Sequence, residues 1–484
     1  MTSHLKQILI LISLFTLPIF AVQAGEQAED SAPPSPEQVD TFVESGMKQL
    51  NIPGSAVALI EDGEIKHLQG FGRIDKSGTA VTPQTPFQIA SVTKSFTSLI
   101  VLQLEDEGKI SIDDPIVQHI PYFRTSNPKL SGKITIRHLM NHRSGLTTLD
   151  GNRYQRSQYR GEDATELAVR ELTKADLENE PGEEYQYSNA NYATLAHLIE
   201  TIEQASYEEI LESRIFSKLG MMNTFVQVAN KTVAQEAKGH IQWFGLPVED
   251  HFVAGRMMIG AGSVTSSAED LAKYLIAVAE NDPRIIPISL TNSWAKERKR
   301  TYEFGWEHDT FDGHSVRFHD GANPGFRSIL MYRPGTRTGG LFLMNMSGTL
   351  DGNLHYGTMQ YALGLSPADI SPSKIFEYML WGSIASLLFL AVACFFSISR
   401  LRKNVSNPWH SSVLVKWAVI AVPSLCLVTF AFTLLFYVPR SFGVDFSAAS
   451  LFFPDLGVLL FAQAAIAAVW ASARTILLIR RFNS

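Results

Sequence analysis

Beyond Pro367 the chain changes character: residues 375–397, 413–437 and 451–478 are long, nearly uncharged apolar stretches. A helix needs about 20 apolar residues to cross a bilayer, where each backbone N–H and C=O must find its partner inside the segment. Three such stretches in succession, with almost no polar face, predict transmembrane helices rather than core helices. Residues 367–484 then form a membrane module.

The flanking charges give an orientation. Arg400, Arg402 and Lys403 lie between the first two stretches, Lys416 at the start of the second, and Arg480 and Arg481 follow the third. Between the second and third there is only Arg440, opposed by Asp445. Basic residues favour the cytoplasm, so the C-terminus is expected inside and residues 40–366 outside, in a periplasmic or cell-surface location. The start of the chain agrees. His4 and Lys6, an apolar run over 8–20 and Val22-Gln23-Ala24 read as a signal peptide over 1–24, cleaved after Ala24. Residues 25–39, rich in Pro, Ser and acidic residues, read as a flexible lead-in.

Residues 40–366 have the composition of a globular domain, expected to be α+β. Residues 55–59 and 64–71 read as strands around the hairpin turn Glu61-Asp62-Gly63. Residues 316–319, 328–332 and 340–344 are further strand-like runs. Helical patterns lie between, over 93–107, 136–141, 190–203 and 268–279, the last with Ser266, Ser267 and Asp270 as capping residues. Strands at both ends with helices between predict an antiparallel sheet closed by both termini, flanked by helices and carrying an inserted all-α region. The only cysteines, Cys394 and Cys426, fall in the apolar stretches. The exported domain therefore has no disulfide, thiol nucleophile or cysteine-based zinc site. A formal net charge of −7 gives no electrostatic ground for a nucleic-acid partner.

Ser91-Val92-Thr93-Lys94 opens an apolar helix, placing Ser91 and Lys94 on one face a turn apart. A serine hydroxyl becomes a nucleophile when a nearby base takes its proton. A lysine of lowered pKa can be that base; a charged one can lower the pKa of a neighbouring base. Ser-x-x-Lys also occurs at Ser3, Ser45, Ser126, Ser293 and Ser371, so context singles out Ser91: Phe87-Gln88-Ile89-Ala90 before it and an apolar helix after. Tyr187-Ser188-Asn189 is the only Tyr-x-Asn, just before another helix. It reads either as a helix-capping turn or as a site element. In the second reading Asn189 orients a substrate amide, and Tyr187 shuttles protons once a lysine ammonium lowers its pKa. Three Lys/His-x-Gly triplets follow, at Lys218, His319 and His355. His319-Asp320-Gly321 ends a strand run, so His319 and Gly321 share a face while Asp320 points away. Gly321 lets the backbone close to a substrate, and the next amide, of Ala322, can serve an oxyanion hole. His138 and His142 have i, i+4 spacing but no accompanying Glu or third ligand, and read as packing or capping residues. No metal or cofactor is expected.

The order Ser91-x-x-Lys94, Tyr187-x-Asn189, His319-x-Gly321 resembles the serine β-lactamase and penicillin-binding protein superfamily, most of all class C β-lactamase-like hydrolases. Residues 134–146, Leu219-Gly220-Met221 and 319–328 share the resemblance. It implies a β-lactamase/transpeptidase-like fold and an acyl-enzyme mechanism. Ser91 would be the acylated nucleophile, Lys94 its proton acceptor or electrostatic activator, and Tyr187 the shuttle and deacylation base. Asn189 would bind a substrate amide, His319 would line the pocket, and the amides of Ser91 and Ala322 would form the oxyanion hole. The sequence departs from the family at the third box, where Lys-Thr-Gly favours a substrate carboxylate and this chain has His319-Asp320-Gly321. The expectation is a membrane-anchored serine hydrolase acting on a small-molecule or peptide amide or ester. The competing reading is a non-catalytic binding or sensing protein that keeps the fold. A transporter with an exported accessory domain is less consistent with spans that lack paired intramembrane charges.

Overall fold

A computed structural model describes residues 33–157, 159–227, 235–294, 301–403 and 412–483. The expected signal peptide lies outside the described residues. The chain divides into two compact units between Pro372 and Ser373.

The first unit opens with α1 (Pro36–Leu50), started by a capping box between Ser35 and Gln38 with Pro36 in the first turn. Residues 36–39, expected in the flexible lead-in, are thus helical. Pro36, with Ser35 just before it, is helix-start chemistry rather than linker composition.

Strands β1 (Gly54–Glu61) and β2 (Glu64–Gly72) form the expected hairpin. Asp62 and Gly63 both have positive φ, 54° and 74°, as a tight two-residue turn requires. Near the other end of the unit come β3 (Thr301–Glu303), β4 (Trp306–Phe311), β5 (His314–Asn323), β6 (Phe326–Arg333) and β7 (Thr338–Met344). Among the described residues these make one antiparallel seven-stranded sheet in the order β2-β1-β7-β6-β5-β4-β3. Pairing of β1 with β7, Val57 opposite Phe342, closes the sheet with both ends of the unit.

The two-residue period of the strands splits the core in two. Val57, Leu59, Phe342 and Met344 face α1 and α5 (Leu354–Ala362). Ala56, Ala58, Ile60, Leu341 and Leu343 face the helical region, with α2 (Thr93–Asp106), α3 (Asn189–Glu203) and α4 (Ala268–Ala279). Ser267 caps α4 by accepting the Asp270 N–H. The architecture is the expected α+β sheet with an inserted helical region. β5 pairs with β4 only as far as Phe318, opposite Glu307, but with β6 as far as Asn323. Residues 319–323 therefore have one edge free of β4.

In the second unit, three helices among the described residues are long and apolar enough to cross a membrane: Lys374–Lys403, Val413–Ser441 and Pro454–Phe482. The third apolar stretch, expected from residue 451, is broken at its start. A short helix ends at Phe452, and Pro454 begins the long one, since proline suits a first helical turn and disfavours helix in the residue before it. Inside that helix Arg474 donates to the Val419 carbonyl at 2.7 Å.

Candidate active site

Ser91 sits in a 3-10 turn, Ala90–Val92, that runs directly into α2. Its approach is strained: Ala90 has φ 47°, a left-handed conformation that costs a non-glycine residue about 1–3 kcal/mol. The short antiparallel pairing of Phe87–Gln88 with Val264–Ser266 holds the segment just before it.

Ser91 and Lys94 meet as their spacing predicts, with Lys94 Nζ 3.0 Å from Ser91 Oγ. Lys94 also donates to the Ala261 carbonyl at 2.7 Å and is fully buried. Burial holds its ammonium well below the ordinary lysine pKa, opposed only by Asp320. A neutral amine so placed has one N–H directed at Ala261 and a lone pair for the Ser91 proton.

Tyr187 OH lies 2.9 Å from the same Ser91 Oγ, donating to it, while Lys94 Nζ stands 4.9 Å from the centre of its ring. Burial pushes the phenol well above its ordinary pKa, against the hydrogen bond to Ser91. This corrects the expectation of a lowered Tyr187 pKa. Burial also lowers the pKa of the lysine that was to supply the positive charge, which favours its amine as a proton acceptor.

Asn189 is the first residue of α3, and Ser188, at the capping position, donates to the Thr147 carbonyl instead of capping. Asn189 Nδ2 donates to Asn152 Oδ1 at 3.1 Å, and its buried Oδ1 has no partner among the described residues. An unmatched buried acceptor costs about 1–3 kcal/mol and suits an incoming N–H.

The edge of β5 left open by β4 runs beside Ser91. A Cβ on Gly321 would stand 2.3 Å from the Ile89 carbonyl, 2.4 Å from Ser328 Oγ and 3.1 Å from the Ser91 amide nitrogen, so only glycine allows this approach. Ala322 follows on the same strand, opposite Arg327. Asp320 does point away, hydrogen-bonded to Tyr356 and near Arg327, and burial raises its pKa. His319 is buried, and that burial, with Lys94 nearby, lowers its pKa to about 3. Its Nδ1 lies 2.6 Å from the Asp320 carbonyl, so Nδ1 carries the proton; Nε2 accepts from Tyr302 OH at 3.2 Å. The other two triplets lie elsewhere. Gly220 ends a short helix, and His355 belongs to α5.

Two further residues shape the site: Tyr302, which the sequence reading passed over, and His142, expected as a packing or capping residue. Tyr302, in the three-residue strand β3, packs against His142, Tyr187 and His319. His142 is buried, with a left-handed backbone of φ 53°. Its Nδ1 accepts from the Ser188 N–H at 3.2 Å and Asn191 Nδ2 at 2.9 Å, which places its proton on Nε2. His138, by contrast, is a plain capping residue whose Nδ1 accepts the Thr135 N–H. Among the described residues no group of three or more His, Cys, Asp or Glu side chains is arranged to hold a metal ion.

Comparisons with known proteins bear on this arrangement. A family model described as Beta-lactamase matches residues 39–360. Protein flp of Staphylococcus aureus (strain MW2) is 27% identical over 328 residues, covering 65% of this chain and 64% of that protein. The chain thus spans less than two thirds of that relative's length. Unguisins hydrolase ungD' of Aspergillus campestris (strain IBT 28561) is 24% identical over 380 residues, covering 73% of this chain and 70% of that protein. Among solved structures, the octameric penicillin-binding protein homologue from Pyrococcus abyssi superposes with a TM-score of 0.60 at 26% identity, covering 71% of this chain and 81% of that one.

Proposed function

The chain belongs to the Beta-lactamase family, and on that premise we propose that it is a membrane-anchored serine hydrolase that cleaves an amide or ester through an acyl-enzyme on Ser91. The observation that carries the reading is the convergence of Lys94 Nζ and Tyr187 OH on Ser91 Oγ, at 3.0 and 2.9 Å. Similarity to a named hydrolase supports the reaction class.

In this reading the neutral Lys94 amine takes the Ser91 proton as Oγ attacks the substrate carbonyl. The amides of Ser91 and Ala322 receive the developing oxyanion; one such donor is worth about 2.7–4 kcal/mol in the transition state. Tyr187 OH, bonded to Ser91 Oγ, relays the proton from Lys94 to the leaving group. Water then attacks the acyl group, with Lys94 and Tyr187 as the base pair. Asn189 Oδ1 accepts a substrate N–H, and His319 lines the pocket.

Residues 40–366 would form the hydrolase domain, on the outer side of the membrane behind a cleaved signal peptide over 1–24, and 367–484 the membrane module. The test is to treat the full chain in detergent with a fluorophosphonate and record intact mass beside Ser91→Ala. An adduct confined to the unmutated chain is expected. Labelling that persists in a folded Ser91→Ala, or none in either chain, would refute the assignment.

A further inference from the structure

Among the described residues, no side chain on the β5 wall of the site has an N–H to offer an anion, and the backbone amide of Ala322 is taken up by the oxyanion site. His319 has one N–H, on Nδ1, and directs it at the Asp320 carbonyl 2.6 Å away. Its other nitrogen faces the hydroxyl of Tyr302 at 3.2 Å. Asp320 and Arg327 face away from Ser91, the arginine bonded to Asp351 at 2.8 Å. Lys94 is fully buried and engaged by Ala261 and Ser91. Around this wall, among the described residues, stand rings: Tyr185, Tyr187 and Tyr302. A carboxylate set against His319 would lose its water and gain neither a cation nor a side-chain N–H in exchange, which is the condition under which burying a charge is most unfavourable.

We infer that the substrate is an ester or amide that is uncharged where it lies against His319 and Tyr302, and that a carboxylate at that position is discriminated against. The inference rests on the serine-hydrolase reading of Ser91 and narrows it to neutral substrates, such as blocked or internal amides and esters. The burial that keeps His319 from protonating until about pH 3 supports it, since the imidazole stays uncharged under ordinary conditions.

The experiment uses the full chain in detergent and two thioesters sharing one N-acylglycyl group. One has mercaptoacetate as leaving group, which carries a carboxylate; the other has mercaptoacetamide, which is neutral. Released thiol gives kcat/KM, with each value divided by the thioester's own hydroxide-catalysed rate. The neutral thioester is expected to be favoured at least ~10-fold, because a site that leaves a buried polar group unmatched discriminates strongly. His319→Lys should narrow that gap by raising turnover of the carboxylate partner. Equal or faster turnover of the carboxylate thioester by the unmutated chain, abolished by Ser91→Ala, would overturn the inference and leave the hydrolase reading standing. Cleavage of neither thioester together with no fluorophosphonate adduct would overturn both.

Discussion

The imidazole of His142 packs against the phenol of Tyr187 with ring centroids 4.3 Å apart, and it grips the chain on both sides of that tyrosine. Its carbonyl accepts the Gln186 N–H at 2.8 Å, and its Nδ1 accepts the Ser188 N–H at 3.2 Å. The Tyr187 hydroxyl is thereby aimed at Ser91 from a residue the mechanism itself does not use. Asparagine can place a side-chain oxygen where Nδ1 stands, and it tolerates the left-handed backbone of position 142. His142→Asn should therefore keep most of kcat, whereas His142→Leu should lose about 100-fold with KM little changed, the scale of a 1 Å misplacement of a catalytic group. Steady-state kinetics on one neutral ester distinguishes them. Equal losses in the two variants would reduce His142 to a packing residue.

Lys94 links activity and stability through pH. In the proposed mechanism Lys94 acts in its neutral form, so kcat/KM should rise with pH through the lowered pKa of Lys94 and then level off. His319, at about 3, adds no limb near neutrality, and the raised pKa of Tyr187 delays any alkaline fall.

Stability carries the same signature. The unfolded chain protonates Lys94 near its ordinary 10.5, while the folded chain does so only well below that. Between the two values the unfolded state holds the extra proton, so stability rises with pH, by about 1.4 kcal/mol per unit from this group. Lys94→Met should flatten the curve of unfolding free energy against pH from neutrality toward 10.5. An unchanged slope would mean that folded Lys94 is charged.

Gly321 is the point where β5 presses on the segment that carries Ser91. In Gly321→Ala the new Cβ meets the Ile89 carbonyl and Ser328 Oγ at 2.3 and 2.4 Å, so the strand must back away from the Ser91 amide. Moving one wall of the oxyanion site should lower kcat by about 10²–10³, the range for a lost donor. Thermal unfolding should show the fold retained. Activity near that of the parent would remove Gly321 and Ala322 from the site.

Much of this was legible because each motif sits at the end of an element with a clear period. Ser91 precedes an apolar helix, Asn189 starts another, and Gly321 closes an alternating strand. The hairpin at Asp62-Gly63 was legible because its turn type demands those residues. Tyr302 was not, since β3 is three residues long, too short to show alternation, and its partners are 110 and 17 positions away in sequence. The protonation of Lys94 was left open, because lysine three residues after serine fixes proximity but not burial, and burial decides the charge. Pro454 was visible in the third apolar stretch, yet hydropathy alone ran straight through it.

The membrane module makes a prediction of its own. Phe376 stacks on Phe453 at one end, while Trp470 donates to Ser397 Oγ toward the other, so the helices Lys374–Lys403 and Pro454–Phe482 run the same way. Their last turns carry Arg400, Arg402 and Lys403, and Arg480 and Arg481. Lys416, in the middle helix, lies 5.4 Å from the Phe482 ring and joins that end. Six cations thus gather at one end of the module, whereas Arg440 and Lys374 at the other are accompanied by Asp445 and Glu377. Basic residues favour the cytoplasmic side, which predicts that the start of the helix Lys374–Lys403, and the unit preceding it, lie outside. In a chain with Cys394 and Cys426 replaced by serine, an impermeant maleimide should label Ser441→Cys in intact cells whose outer layer has been made permeable. Asn483→Cys should react only after the inner membrane is opened. The reverse pattern would turn the module over and put Ser91 in the cytoplasm.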